Sequence, residues 1–133
     1  MDTITVQVTA EINLTENPEK VKLAVQNIFG AVEFEIQLRT RGGVLVARET
    51  GTEGLTKLYN LLRREHIRDA ARSVMFKGLE GSTITFCLNK QVAYAGHLSF
   101  CELTGESPLG PIKVTITCDN PRELIDWLAP RTT

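Results

Sequence analysis

TITVQVTAEI, residues 3–12, alternates along its whole length: Ile4, Val6, Val8, Ala10 and Ile12 share one side, and Thr5, Gln7, Thr9 and Glu11 share the other. A period of two belongs to a strand packed on one face and wet on the other. Immediately downstream, Asn17-Pro18-Glu19-Lys20 starts a helix, with Asn17 as the cap and Pro18 supplying the preset dihedral of a first helical position. Val21, Ala24, Val25 and Ile28 then recur at helical spacing until Gly30.

Alternation returns at Val32, Phe34, Ile36 and Leu38, followed by Arg39-Thr40-Arg41-Gly42-Gly43 and the apolar run Val44-Leu45-Val46. This predicts either a strand, a glycine turn and a second strand, or one strand continued after a loop. Thr52 or Thr56 opens the next helix, whose stripe is Leu55, Leu58, Tyr59 and Leu62. Beyond His66 the apolar positions Ile67, Ala70, Ala71, Val74 and Met75 sit at a rotated angle, so one helix turns its face or two helices meet near His66.

After a break at residues 78–81, residues 83–89 alternate as a strand, and a weaker strand is expected from about Val92 to Phe100, interrupted at Gly96. Ser107-Pro108-Leu109-Gly110-Pro111 reads as a stiff turn. Ile112, Val114, Ile116 and Cys118 form the last strand. A closing helix is capped by Asn120, with Pro121 first, Glu123 three beyond the cap, a stripe of Leu124, Trp127 and Leu128, and a stop at Pro130. Trp127 is expected in the core. Strands in runs favour an α+β two-layer sandwich over a doubly wound sheet. The expectation is one domain over residues 1–133, with about five to six strands, mostly antiparallel or mixed, and helices on one face.

The 133 residues are 42% apolar and 23% charged, the balance of a chain that buries a core. No run approaches the roughly 18 apolar residues of a bilayer span, and the start lacks a signal peptide's basic region and apolar core, so a cytoplasmic location is expected. Cys87, Cys101 and Cys118 are odd in number and lie in apolar segments, as buried free thiols do; no CxxC pair suggests a metal site. Neither His66 nor His97 has a neighbouring Ser or Cys in a nucleophile setting, and no GxxxxGK[ST] or GxGxxG loop is present. No catalytic residue, metal, cofactor or nucleotide is therefore expected. Asp119, Glu123 and Asp126 open a helix whose dipole favours carboxylates anyway.

The net charge of −1 conceals an uneven distribution. Residues 39–90 carry ten Lys or Arg against five acids, and the rest carry five against eleven. Within the basic middle, Arg63, Arg64, Arg68 and Arg72 stand out: spacing of four places the last three on successive turns of one helical face, where guanidinium forks meet successive phosphates. The plainer reading makes them exposed ion pairs, Arg68 with Glu65 and Arg72 with Asp69. Arg39 and Arg41, in the glycine turn, are a second candidate contact. Asn89 and Lys90, followed by Gln91, end a strand with groups suited to bases or ribose, although turn chemistry explains Asn89 equally well.

Four stretches in chain order, HIRDAA (66–71), FCLNKQ (86–91), SPLGPI (107–112) and DWLAP (126–130), resemble a family of small archaeal proteins of the uncharacterised UPF type. That resemblance implies a fold related to the ribosomal protein that binds five-S RNA and to archaeal RNA-binding and exosome-associated proteins, and it implies a homodimer. RNA is the leading partner, contacted without catalysis by the basic helix and adjacent loops. The rival is a homodimeric protein-interaction module using the acidic ends or an open sheet edge. A small-molecule enzyme, third, requires a cleft holding His66 or His97 with a carboxylate.

Overall fold

The computed structural model describes residues 4–30, 33–39, 42–101 and 111–131. Strand β1 (Ile4–Ile12) leads into helix α1 (Pro18–Phe29), capped by the Asn17 side chain, which accepts the Glu19 N–H at 2.9 Å. A hairpin follows, β2 (Glu33–Arg39) and β3 (Gly42–Thr50), then a 3-10 turn (Thr52–Leu55) running straight into α2 (Thr56–Arg64). Next come α3 (Arg68–Lys77), β4 (Leu79–Glu80), β5 (Thr83–Leu88), α4 (Lys90–Tyr94), β6 (Phe100–Cys101), β7 (Ile112–Cys118) and α5 (Pro121–Leu128).

The sheet runs β2-β3-β1-β7-β5-β4, and β6 shares the outer edge of β5 with β4. Every pairing is antiparallel. It is the expected α+β two-layer arrangement, with seven strands among the described residues because two edge strands are only two residues long. Register makes rows across the sheet: Ala47, Val8, Val114 and Phe86 in one, Leu45, Ala10, Ile112 and Leu88 in the next. All eight are buried. The opposite face is mostly polar, apart from Val44, Val46 and Cys87, with a row of threonines, Thr50, Thr5, Thr117 and Thr83, crossing four strands.

All helices therefore lie on one face. Val21, Ala24, Val25 and Ile28 of α1, Leu58 and Leu62 of α2, Met75 of α3, and Leu124 and Leu128 of α5 join one core cluster with the strand residues. Each large aliphatic side chain so buried stabilises by about 1.5–3 kcal/mol.

Two expectations are resolved or corrected. The rotated apolar stripe is two helices, separated by a Schellman turn: His66 N–H donates to the Arg63 carbonyl (3.3 Å) and Ile67 N–H to that of Leu62 (3.2 Å). His66 takes the left-handed conformation there, φ +56°, which glycine usually supplies. The strand expected over 92–100 is instead α4 followed by the two-residue β6. The Asn89 side chain accepts the Val92 N–H (3.1 Å), so residues after it coil, burying Ala93 against the core and leaving Tyr94 outside. The Pro-Gly-Pro turn, apart from Pro111, lies outside the described residues.

Cys87 and Cys101 oppose each other across β5 and β6 as free thiols, with sulfurs 3.0 Å apart, and Cys118 is a buried thiol. Among the described residues no helix is long and apolar enough to cross a membrane, and no group of three or more His, Cys, Asp or Glu is placed to hold a metal.

The Schellman turn generates a test by substitution. Any residue with a Cβ, His66 included, is strained at a left-handed position by about 1–2 kcal/mol, a β-branched one most, and glycine is not. His66→Val is expected to lower stability by up to about 1 kcal/mol in urea denaturation, while His66→Gly leaves it equal to wild type or above it, because the relief of strain offsets the greater entropy of unfolded glycine.

Candidate nucleic-acid interface

Arg63, Arg64, Arg68 and Arg72 divide by position. Arg63, near the end of α2, donates to the carbonyls of Tyr59 (3.0 Å), Leu128 (3.2 Å) and Trp127 (3.3 Å). Its guanidinium lies 3.4 Å over the Tyr59 ring, which itself stacks on the half-buried Trp127 at 4.8 Å. Arg72 of α3 bonds to Asp126 Oδ1 at 2.7 Å and to the Ala129 carbonyl at 3.2 Å. Helix α5 explains both. It has no basic residue in its last turn and ends in unsatisfied carbonyls with partial negative charge, so cations from neighbouring helices complete it. The DWLAP stretch thus receives Arg63 and Arg72.

Arg64 and Arg68 stand on either side of the helix break rather than on one continuous face. Arg64 is exposed and donates to the Gly96 carbonyl at 2.8 Å. Arg68, half-buried at the start of α3, has no hydrogen bond or ion pair among the described residues. The anticipated pairing of Glu65 with Arg68 is replaced: Glu65 meets His97 Nδ1 at 2.7 Å, and that bond holds its carboxyl below the usual range. This Glu65–His97 pair is on the surface, with the His97 side chain 59% exposed, and it lines neither of the two clefts described below. Arg39 closes β2 opposite Gly42, but its side chain, and Arg41 entirely, lie outside the described residues.

Lys90 is a buried structural cation, 3% exposed. Its Nζ donates to the Glu11 carbonyl at 2.6 Å and to Glu16 Oε1 at 3.0 Å. Glu16 Oε1 also accepts the Asn13 backbone N–H (2.9 Å) and Nδ2 (2.8 Å). Burial pushes the Glu16 carboxyl up, but these donors outweigh it and leave it below the ordinary value.

Lys90 and Gln91 nevertheless form part of the wall of an open cleft of ≈ 380 Å³ between α1 and α4, with Thr15, Glu16, Lys20 and Tyr94. Lys20 Nζ is 5.6 Å from the centre of the Tyr94 ring. Sequence reasoning passed over Glu16, Lys20 and Tyr94, because the cleft joins segments some seventy residues apart in the chain and no local pattern links them. A second cleft, of ≈ 420 Å³, sets Glu49 and Glu53 against the single cation Lys57 and is unsuited to a polyanion.

The α+β chain with one helix-covered face matches, over residues 5–118, the family model described as RNA binding. A UPF0201 protein of Pyrobaculum calidifontis is 45% identical over 128 residues, covering 96% of this chain and 90% of the relative, and one from Saccharolobus solfataricus is 40% identical over 129 residues, covering 97% and 89%. The crystal structure of the Methanococcus jannaschii UPF0201 protein superposes with a TM-score of 0.87 at 33% identity, covering 97% of this chain and 95% of that one. The chain belongs to the UPF0201 family of archaeal proteins.

Arg63→Ala removes the cation at the end of α5 and is expected to cost about 2 kcal/mol in thermal or chemical unfolding; Arg68→Ala is expected to stay within about 0.5 kcal/mol of wild type. Glu16→Gln strands the Lys90 charge and is expected to cost about 3 kcal/mol at neutral pH. Because the folded Glu16 carboxyl titrates below its unfolded value, near 4.3, its contribution is complete above that value and is lost as pH falls through the folded one. Urea unfolding from neutral pH into acid should show wild type and Glu16→Gln converging.

Proposed function

We propose that this chain is a non-catalytic RNA-binding protein that grips the sugar-phosphate backbone of structured RNA from the α2–α3 corner. The observation that carries this reading is the match of residues 5–118 to the RNA-binding family model. Arg64 and Arg68, flanking the Schellman turn, are the guanidinium forks placed to reach phosphates, and Arg39 and Arg41 at the β2–β3 end are a second contact. Arg63 and Arg72 add positive potential while remaining committed to α5, and Asn89 and Lys90 shape the adjoining scaffold. Neither a membrane nor a nucleotide cofactor enters this reading.

The test is binding of labelled archaeal ribosomal and transfer RNA across a salt series, comparing wild type with Arg64→Glu/Arg68→Glu. Affinity should fall log-linearly with salt, and the double variant should bind at least about tenfold more weakly with a slope reduced by about two. Its thermal melt should match wild type. Binding that ignores salt, or that the variant retains in full, removes the corner from the interface; no binding to any RNA removes the reading.

A further inference from the structure

We infer that the cleft between α1 and α4 receives one unpaired nucleotide of an RNA strand, with its base on the Tyr94 ring, its phosphate at Lys20 and the base's amino edge at Glu16. The inference rests on the RNA-binding reading above and specifies which part of an RNA this second site takes. Tyr94 is the first observation. It is 43% exposed at the cleft mouth, although a ring of that size is ordinarily drawn into a core. Its position is fixed by the backbone: Asn27 Nδ2 donates to the carbonyls of Ala93 (3.0 Å) and Tyr94 (3.1 Å), tying the end of α4 to α1. A ring held on a braced helix end and left open to water is a preorganised stacking platform.

Charge supplies the second observation. Lys20 Nζ lies over the ring at 5.6 Å from its centre, the outer limit of a cation–π contact, a weak hold that brings an ammonium to the platform and yields as a base stacks there. A base on Tyr94 would carry its phosphate toward that ammonium. Deeper in the cleft, every bond that Glu16 accepts among the described residues falls on Oε1. The second carboxylate oxygen remains an acceptor suited to an exocyclic amino group, which adenine, cytosine and guanine possess and uracil lacks. Gln91, exposed on the same wall, offers both a donor and an acceptor.

Continuity with the corner is the third. Arg64 reaches the carbonyl of Gly96, two residues beyond Tyr94. A strand leaving the cleft therefore meets the guanidinium groups proposed to hold phosphates. Base stacking needs an unstacked nucleotide, so a loop, bulge or end is the feature recognised here, and a continuous duplex is not.

The experiment measures binding of labelled oligoadenylate and oligouridylate decamers, and of their duplex, to wild type, Tyr94→Ala, Tyr94→Phe and Lys20→Ala. Wild type should prefer the adenylate strand to both the uridylate strand and the duplex. Tyr94→Ala should weaken adenylate binding about tenfold with an unchanged salt slope, Tyr94→Phe should retain it, and Lys20→Ala should weaken it with a slope reduced by about one. The ring is exposed and the Asn27 bonds are to backbone, so thermal melts should be unaltered. Tyr94→Ala binding adenylate as wild type does, or a duplex bound as tightly as the single strand, overturns the cleft. If RNA binding then still collapses in Arg64→Glu/Arg68→Glu, the RNA-binding reading survives without it; if wild type binds no RNA, both fall.

Discussion

Pairing of β1 with β7, in register from Ile4 opposite Cys118 to Ala10 opposite Ile112, is the constraint on which the molecule depends. Side chains along a strand alternate, so a slip of one residue would turn Val6, Val8 and Ala10 to water and Thr5, Gln7 and Thr9 to the core. With the register fixed, β3 and β5 extend the same buried rows outward, and the helices have one face to cover. Both clefts lie in that helical layer or at its margin, and their walls include charged residues from loops and helix starts that the sheet leaves outside its core.

Sequence reasoning succeeded where local chemistry decides. Alternation in residues 4–12 and 112–118 needs only neighbours to be read, and the Asn-Pro starts of α1 and α5 satisfy their own first turns through Asn17 and Asn120. It failed at residues 92–100, where Val92, Tyr94, Leu98 and Phe100 mimic a strand but the cap at Asn89 coils the chain first. At His66 the two alternatives were visible, and the choice between them depended on backbone bonds to Arg63 and Leu62 that no side-chain pattern announces.

The candidate site was legible as charge and illegible as allocation. Counting bases located the excess in residues 39–90 but did not reveal what each base was already doing. Arg63 and Arg72 are claimed by the carbonyls of a helix more than fifty residues downstream, and Lys90 by a carboxylate and a carbonyl more than seventy upstream. Those partners carry no sequence signature, since a backbone carbonyl belongs to every residue. Arg64 and Arg68 remain at the corner because the Schellman turn places them beyond reach of α5, and Tyr94 remains outside because Ala93 occupies the buried position of α4.

The short strands β4 and β6 have an effect out of proportion to their length. Between them they occupy the outer edge of β5: β4 pairs with Thr83 and Ile84, the Gly78 carbonyl takes the Thr85 N–H, and β6 pairs with Cys87 and Leu88. That side of the sheet ends in two strands of only two residues each, too short to template a long partner, whereas β2, with Glu35 and Gln37 exposed along it, is the long edge among the described residues. A sheet with a single long edge is poorly suited to growth by repeated edge-to-edge addition: two copies joined through β2 would present only the two-residue strands at each end.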